Sequence, residues 1–145
     1  MSYWDTSALL KLYVPEPDSQ DFVEYARLHP GGVTAHLAAW EAFTAFRRKE
    51  AEGLIQPGAA KTLHETLLQD GRFGYWQWME LSPAVEIAFR QVLDRCFQLK
   101  PPLLIRTLDA IHLASAQVAV ETEIVATDQR LRAVAKTLGC TLFPK

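Results

Sequence analysis

The sequence has few cysteines, no long apolar run and no excess of positive charge, and each absence excludes a class of protein. Its two cysteines, Cys96 and Cys140, form no CxxC pair, so neither a disulfide framework nor a structural zinc site is indicated. No stretch of 18 or more apolar residues occurs, and no basic segment leads into an apolar one at the start. We therefore expect a cytoplasmic protein with no export signal and no membrane partner.

The charge balance excludes a protein that is basic over its whole surface. Lysine and arginine number 15 against 17 acids, which gives a formal net charge of −2. Tight binders of nucleic acid are usually strongly basic, so contact with nucleic acid would depend on local basic patches. A content of 49% hydrophobic and 22% charged residues in 145 is typical of one soluble globular domain.

Strand and helix signals alternate along the whole chain. Asp5, Thr6 or Ser7 can cap a first helix, and the other helices are closed by glycine or proline signals. The predicted strands are at YW, GVTA, YWQWMEL, TEIVAT and CTLF. This alternation predicts one α/β domain over residues 1–145, with a central parallel sheet of about five short strands and helices on both faces.

Four acids stand where such a sheet would place a ligand site. In parallel sheets, ligands bind beyond the carboxyl ends of the strands. Asp5 and Asp128 follow predicted strands, Asp109 opens a helix, and Glu41 lies inside a long helix. The first three have a simple alternative role at helix starts, as caps for Asp5 and Asp128 and as a first-turn acid, with Thr107 as the cap, for Asp109.

Glu41 is harder to explain as a surface acid. It lies in a helix whose predicted apolar stripe is Leu37, Trp40, Phe43 and Thr44, and no basic residue stands three or four positions away. A carboxylate in apolar surroundings must be paired, protonated or bound to a cation. Carboxylates gathered at one edge repel each other, and Mg²⁺ or Mn²⁺ would hold them together. The chemistry that this arrangement predicts is hydrolysis of a phosphodiester.

Four segments together carry a specific resemblance. YWDTSALLKLYVPE, HLAAWEAF, IRTLDAIHLASA and IVATDQRLRAVAKTLG resemble, in that order, the four acidic motifs of PIN-domain ribonucleases. The similarity is greatest to the VapC toxins of type II (VapBC) toxin-antitoxin modules, and it spans essentially the whole chain.

The resemblance implies a metal-dependent endoribonuclease toxin. Metal-activated water would attack RNA and leave 5′-phosphate and 3′-hydroxyl ends. Thr6 and Ser7 match small hydroxyl residues that order the metal site in the family. Ala126 replaces a common hydroxyl residue before the last acid, so Thr127 would supply that group. The residues that would bind one or two magnesium or manganese ions, and so be catalytic, are Asp5, Glu41, Asp109 and Asp128.

The resemblance also implies partners. The chain would form a homodimer with a second copy of itself and bind a cognate VapB-like antitoxin, which gives a heterotetramer or a larger complex. The C-terminal segment of the antitoxin would obstruct the metal site. We expect this segment in an apolar groove between the first helices and the long helical hairpin. Residues that could contact RNA phosphate are Arg47, Arg48, Arg106 and Arg130, although complementing helix dipoles is the simpler role for most of them.

Other features have two interpretations. His112, one turn after Asp109, could form an Asp-x-x-His metal pair, but that architecture needs two such motifs and four long helices, so we interpret it as a hydrogen-bonded structural residue. The aromatics Tyr75, Trp76 and Trp78 are core or interface residues, or a platform on which unpaired bases stack.

Two other functions compete with the nuclease. A catalytically inactive PIN-like module that binds protein or RNA would keep the fold but lose acids, and all four are present. A phosphatase of the haloacid-dehalogenase type needs a second aspartate two positions after the first, where this chain has Ser7.

Overall fold

A computed structural model describes all 145 residues and contains five strands and seven helices. The strands are β1 (Tyr3–Trp4), β2 (Gly32–Ala35), β3 (Trp76–Met79), β4 (Glu123–Val125) and β5 (Thr141–Phe143). The helices are α1 (Thr6–Leu9, extended by a 3₁₀ turn at Leu10–Leu12), α2 (Ser19–Leu28), α3 (Leu37–Ala51), α4 (Ala59–Arg72), α5 (Pro83–Phe97), α6 (Thr107–Val118) and α7 (Gln129–Thr137). No helix is long and apolar enough to span a membrane.

The strands form one parallel sheet in the order β3-β2-β1-β4-β5, which confirms the predicted fold class. Tyr3 of β1 pairs with Val33 on one side and Ile124 on the other. Because β1 is central, whatever follows it lies at the middle of the carboxyl edge. Asp5 therefore sits where the strand ends of β2 and β4 converge.

Helices cover both faces of the sheet, because the side chains of each strand alternate between the two faces and both sets are apolar. Successive strand residues point to opposite faces. Tyr3 and Ile124 lie in the core that packs against α5, α6 and α7. Their neighbours Trp4 and Val125 lie in the second core, against α1 to α4. One sheet thus divides the interior into two cores, each closed by its own helices.

Two local predictions are wrong. Thr107 is the first residue of α6 rather than its cap; the cap position belongs to Arg106, whose backbone is extended and whose side chain turns back toward Asp109. Trp40 is 64% exposed, although the predicted stripe placed it in the core. Leu37 and Phe43 of that stripe do pack in the interior, but Thr44 is exposed, and the buried face of α3 centres on Ala38, Ala42 and Phe46.

Trp76 belongs to the second core rather than to an exposed platform. Its ring meets Trp4 edge to face with centroids 5.5 Å apart, and its Nε1 donates to the Tyr13 hydroxyl at 2.9 Å. The ring also covers Gly32, where an added Cβ would come within 2.3 Å of it. Only a residue without a side chain fits beneath the indole.

We expect Trp76→Ala to lower the free energy of unfolding by about 3 kcal/mol, since it leaves a large cavity and removes the indole hydrogen bond to the Tyr13 hydroxyl, which keeps only its bond to Asp70. Urea denaturation measures this, and Tyr75→Ala, which alters an exposed neighbour, should change stability by no more than about 0.5 kcal/mol. Unchanged stability of Trp76→Ala with lost RNA binding would instead make these aromatics a base platform.

Candidate functional site

Asp5 is fixed at the point where β1 becomes α1. Its backbone is extended, and its Oδ1 accepts from the backbone N–H of Ala8 at 3.1 Å, so it caps α1. Of the three capping candidates, Asp5 takes this role. The cap orients the carboxylate across the carboxyl edge of the sheet.

Burial makes the Asp5 carboxylate unusual. Removal from water raises its pKa from 3.8 to about 6, against the opposing effects of the His112 charge and of hydrogen bonds from Ser7 and Ala8. Its direct partners are a hydroxyl and a backbone N–H, both neutral. Burying an anion without a cation in contact costs free energy, so a positively charged ligand would stabilise the Asp5 carboxylate.

The Ser7 hydroxyl connects the first and last acids. It lies 2.8 Å from both carboxylate oxygens of Asp5, to which it donates. Its oxygen accepts from the backbone N–H groups of Thr127 at 3.0 Å and Asp128 at 3.2 Å. Ser7 therefore ties the end of β1 to the loop after β4. Thr127 makes this contact through its backbone, not through the hydroxyl that the sequence suggested.

Glu41 reaches the same edge from the second turn of α3. Its Oε1 accepts from the Thr6 hydroxyl at 2.8 Å and lies 2.6 Å from His112 Nε2. Thr6 follows Asp5 directly, so this bond brings the second acid beside the first. Thr6 thus contacts an acid of the site, as Ser7 does.

His112 is held by groups that sequence reasoning missed. Its Nδ1 lies 2.8 Å from the Tyr3 hydroxyl, which already accepts from the backbone N–H of Ala35 at 3.0 Å. Whether Nδ1 accepts the hydroxyl proton or both ring nitrogens are protonated, Nε2 carries a proton that faces Glu41. Alternation along β1 is the one sequence signal that could have placed Tyr3 against α6.

The charge on Glu41 is stabilised, not repelled. Burial raises its pKa, but hydrogen bonds from His112 and Thr6 and the positive charges of His112 and Arg106 outweigh it, so the pKa lies below the ordinary value. The sequence predicted mutual repulsion among gathered carboxylates. The structure instead gives Glu41 partners of its own.

Asp109 and Asp128 share one arginine. Arg106 Nε donates to Asp109 Oδ2 at 2.8 Å, and its terminal nitrogen lies 3.3 Å from Asp109 Oδ1 and from Asp128 Oδ2. Asp128 also caps α7, since its Oδ1 accepts from the backbone N–H groups of Arg130 and Leu131. Burial raises the pKa of Asp128, but these bonds and Arg106 outweigh it and hold that pKa low.

The other arginines are placed differently. Arg130 is exposed in the first turn of α7, directly beyond Asp128. Arg47 pairs with Glu50 and, with Arg48, stands at the far end of α3, about 9 Å of helix rise beyond Glu41. The structure thus brings the Arg106 side chain to the acids, Arg130 contacts Asp128 through its backbone N–H, and Arg47 and Arg48 lie away from them.

The donor chemistry fits a divalent metal ion, although no three acidic or histidine side chains are already gathered as ligands. The four carboxylates and two hydroxyls are hard oxygen donors, the kind that Mg²⁺ and Mn²⁺ prefer. Asp5 supplies a buried negative charge that contacts no cation. Bound metal would therefore require the side chains around Asp5 to converge further.

A sequence model of the PIN domain family matches residues 2–137 of the chain. Ribonuclease VapC46 of Mycobacterium tuberculosis is 35% identical over 143 residues, which cover 97% of this chain and 95% of that protein.

Solved structures share the fold at low sequence identity. VapBC2 of Rickettsia felis, bound to a DNA fragment of its promoter, superposes with a TM-score of 0.67 at 10% identity, covering 98% of this chain and 97% of that one. VapC20 of Mycobacterium tuberculosis, a toxin that cleaves the sarcin-ricin loop, gives 0.64 at 15% identity over 92% and 94%. A toxin-antitoxin complex of Klebsiella pneumoniae gives 0.59 at 15% identity over 88% and 87%.

Proposed function

Because the chain belongs to the PIN domain family, in its VapC group, we propose that it is a divalent-metal-dependent endoribonuclease toxin. Residues 1–145 form the single PIN domain. Its ligands for one or two Mg²⁺ or Mn²⁺ ions, and hence its catalytic residues, are Asp5, Glu41, Asp109 and Asp128.

The observation that carries this proposal is the buried Asp5 carboxylate at the centre of the carboxyl edge. Thr6 and Ser7 join it to Glu41 and to the Asp128 loop, and Arg106 joins Asp128 to Asp109. Four acids from distant parts of the sequence thus form one connected set. A structural role alone would not require a buried anion here.

The residues around the four acids hold the carboxylates in place and supply positive charge for the substrate. When bound, a divalent ion polarises a phosphoryl oxygen and lowers the pKa of a water that it holds. Ser7 fixes the Asp5 carboxylate, and His112 fixes that of Glu41, so neither must reorganise when the substrate arrives. Arg130 supplies positive charge beside the acids for the phosphate backbone of the RNA.

The proposed regulator is a VapB-like antitoxin that binds the folded toxin. An apolar groove of about 780 Å³ lies between the turn after α1 and the α3–α4 connection, past the end of α3 that is opposite Glu41, so a segment bound there must extend along the toxin to reach the acids. Its walls include Val14, Pro15, Leu54, Ile55 and Leu63. An amphipathic segment of a partner fits a groove of this kind. A homodimer is proposed on family membership.

The test is cleavage of a pool of structured RNAs. We expect end-labelled products with Mg²⁺ or Mn²⁺, none with EDTA, and at least about a 100-fold loss of rate in Asp109→Asn, because a lost ligand should cost no less than a lost outer-shell contact. Asp94→Asn, an exposed change on α5, is the matched control and should cleave as the wild type does.

Two results would contradict the proposal. Cleavage that persists in EDTA would argue against a metal-dependent enzyme. No cleavage under any metal condition, with binding to RNA or antitoxin retained, would favour the catalytically inactive PIN-like module.

A further inference from the structure

Arg106 occupies the electrostatic centre of the acid set. It is the N-cap residue of α6, and its side chain lies along the first turn of that helix. Its guanidinium donates to both carboxylate oxygens of Asp109 and to Asp128. The positive charge also helps lower the pKa of Glu41. One cation therefore neutralises two acids of the site and acts on a third.

The guanidinium and a metal ion compete for the same oxygens. Arg106 donates to both carboxylate oxygens of Asp109 and to Oδ2 of Asp128, while backbone N–H groups use Oδ1 of Asp128. The oxygens that Arg106 contacts each keep a second lone pair that an ion could use, but the charge of that ion would repel the guanidinium at this short range. The guanidinium and a metal ion on the same carboxylates therefore disfavour each other.

Arg106 is built to move without disturbing the fold. Its side chain is 51% exposed, and its backbone lies outside the first turn of α6. Leaving the acids would break its hydrogen bonds to Asp109, whose side chain is largely buried, and to the half-buried Asp128, and a metal ion would take over their charge. A released guanidinium at this edge would be a planar donor suited to two phosphate oxygens.

We propose, on the basis of the function proposed above, that Arg106 and the divalent ion exchange places. In metal-free protein Arg106 holds Asp109 and Asp128 apart from solvent cations. Metal loading displaces the guanidinium, which then binds a phosphate of the RNA strand. Arg106 is thus a substrate ligand that becomes available when the metal is in place, and it couples metal binding to phosphate binding.

The first measurement is Mn²⁺ affinity of RNA-free protein, by calorimetry or electron paramagnetic resonance. Removal of the competitor in Arg106→Gln should tighten Mn²⁺ binding by about threefold to tenfold. Arg27→Gln removes an equivalent exposed fork, onto Glu24, and should change nothing. Arg130→Gln removes a nearby charge that makes no such fork and should have a smaller effect.

The second measurement follows the guanidinium itself in the wild type. In ¹⁵N spectra, the Arg106 Nε resonance, assigned by its absence in Arg106→Gln, should shift when Mg²⁺ is added. Adenosine 5′-monophosphate, which mimics a product end, should then shift it again. At saturating Mg²⁺, Arg106→Gln should bind this nucleotide at least about threefold more weakly.

The outcomes separate the two proposals. If the wild type binds no divalent ion, both fail. If it binds metal and cleaves RNA, but Arg106→Gln binds Mn²⁺ no more tightly and the Nε resonance is unmoved by Mg²⁺, the exchange is wrong and the nuclease stands. Equal nucleotide affinity in wild type and Arg106→Gln at saturating Mg²⁺ would also overturn the role of Arg106 as a substrate ligand.

Discussion

Asp5→Asn should reduce RNA cleavage by at least about 10³-fold, a loss of about 4 kcal/mol of transition-state stabilisation, while the fold stays intact. Asparagine keeps the oxygen that accepts from Ala8 N–H and therefore keeps the cap of α1. What it removes is the buried negative charge at the centre of the acid set. The measurement is kcat/KM on an RNA substrate identified by end mapping, at saturating metal.

The same substitution should stabilise the metal-free protein. The folded-state pKa of Asp5 is about 6, above its ordinary 3.8, so the folded state binds the proton more tightly than the unfolded chain does. This group therefore makes the free energy of unfolding fall as pH rises from about 4 to about 6, and the penalty persists at pH 7. Asp5→Asn lacks the penalty, so it should be more stable at pH 7 by on the order of 1–3 kcal/mol.

Urea denaturation of metal-free protein at pH 4 and pH 7 tests this difference. Asp94→Asn, which alters an exposed acid on α5, should follow the wild type at both pH values. Retained cleavage in Asp5→Asn would remove Asp5 from the metal site. An unfolded Asp5→Asn would show that the carboxylate charge, not the cap alone, maintains the fold.

The fold was predictable because each element carries its own local signal. Alternating strand and helix segments favour a parallel sheet whatever their later contacts, and Ser82 with Pro83 begins α5 as such a pair usually does. Asp5 and Asp128 could be placed at the carboxyl edge because they follow strands directly. Their roles as helix caps and as site residues are compatible, since one carboxylate oxygen serves each helix.

The contacts between acids were not predictable in the same way. The bond from His112 to Glu41 joins residues 71 positions apart, and the position of Tyr3 behind it depends on which face of β1 meets α6. The Arg106 fork depends on an extended backbone before α6, which the predicted cap at Thr107 obscured. Such contacts follow from the packing of elements, and residue spacing along one helix does not encode them.

Glu41→Gln tests whether the carboxylates repel one another or whether Glu41 is stabilised by its own hydrogen-bond partners. Cleavage should fall by about 10³-fold, as for Asp5→Asn, because a proposed metal ligand loses its charge. Metal-free stability should change in the opposite direction. Glutamine can still accept from Thr6 and His112, but it replaces charge-assisted hydrogen bonds by neutral ones, so we expect a loss of about 1 kcal/mol at pH 7.

The pH dependence of stability tests independently whether the Glu41 charge stabilises or destabilises the fold. The folded-state pKa of Glu41 lies below its ordinary 4.5, so its charge contributes stability above that pH, and the contribution is lost as pH falls through the folded-state pKa. As pH falls below 4.5 and through that pKa, Glu41→Gln should therefore rise from lower stability to that of the wild type. Asp5→Asn, which is the more stable protein at pH 7, should lose its advantage as pH falls from about 6 to about 4. If both variants are instead stabilised at pH 7, repulsion dominates the metal-free site, and the hydrogen bonds from His112 and Thr6 do not stabilise the Glu41 charge.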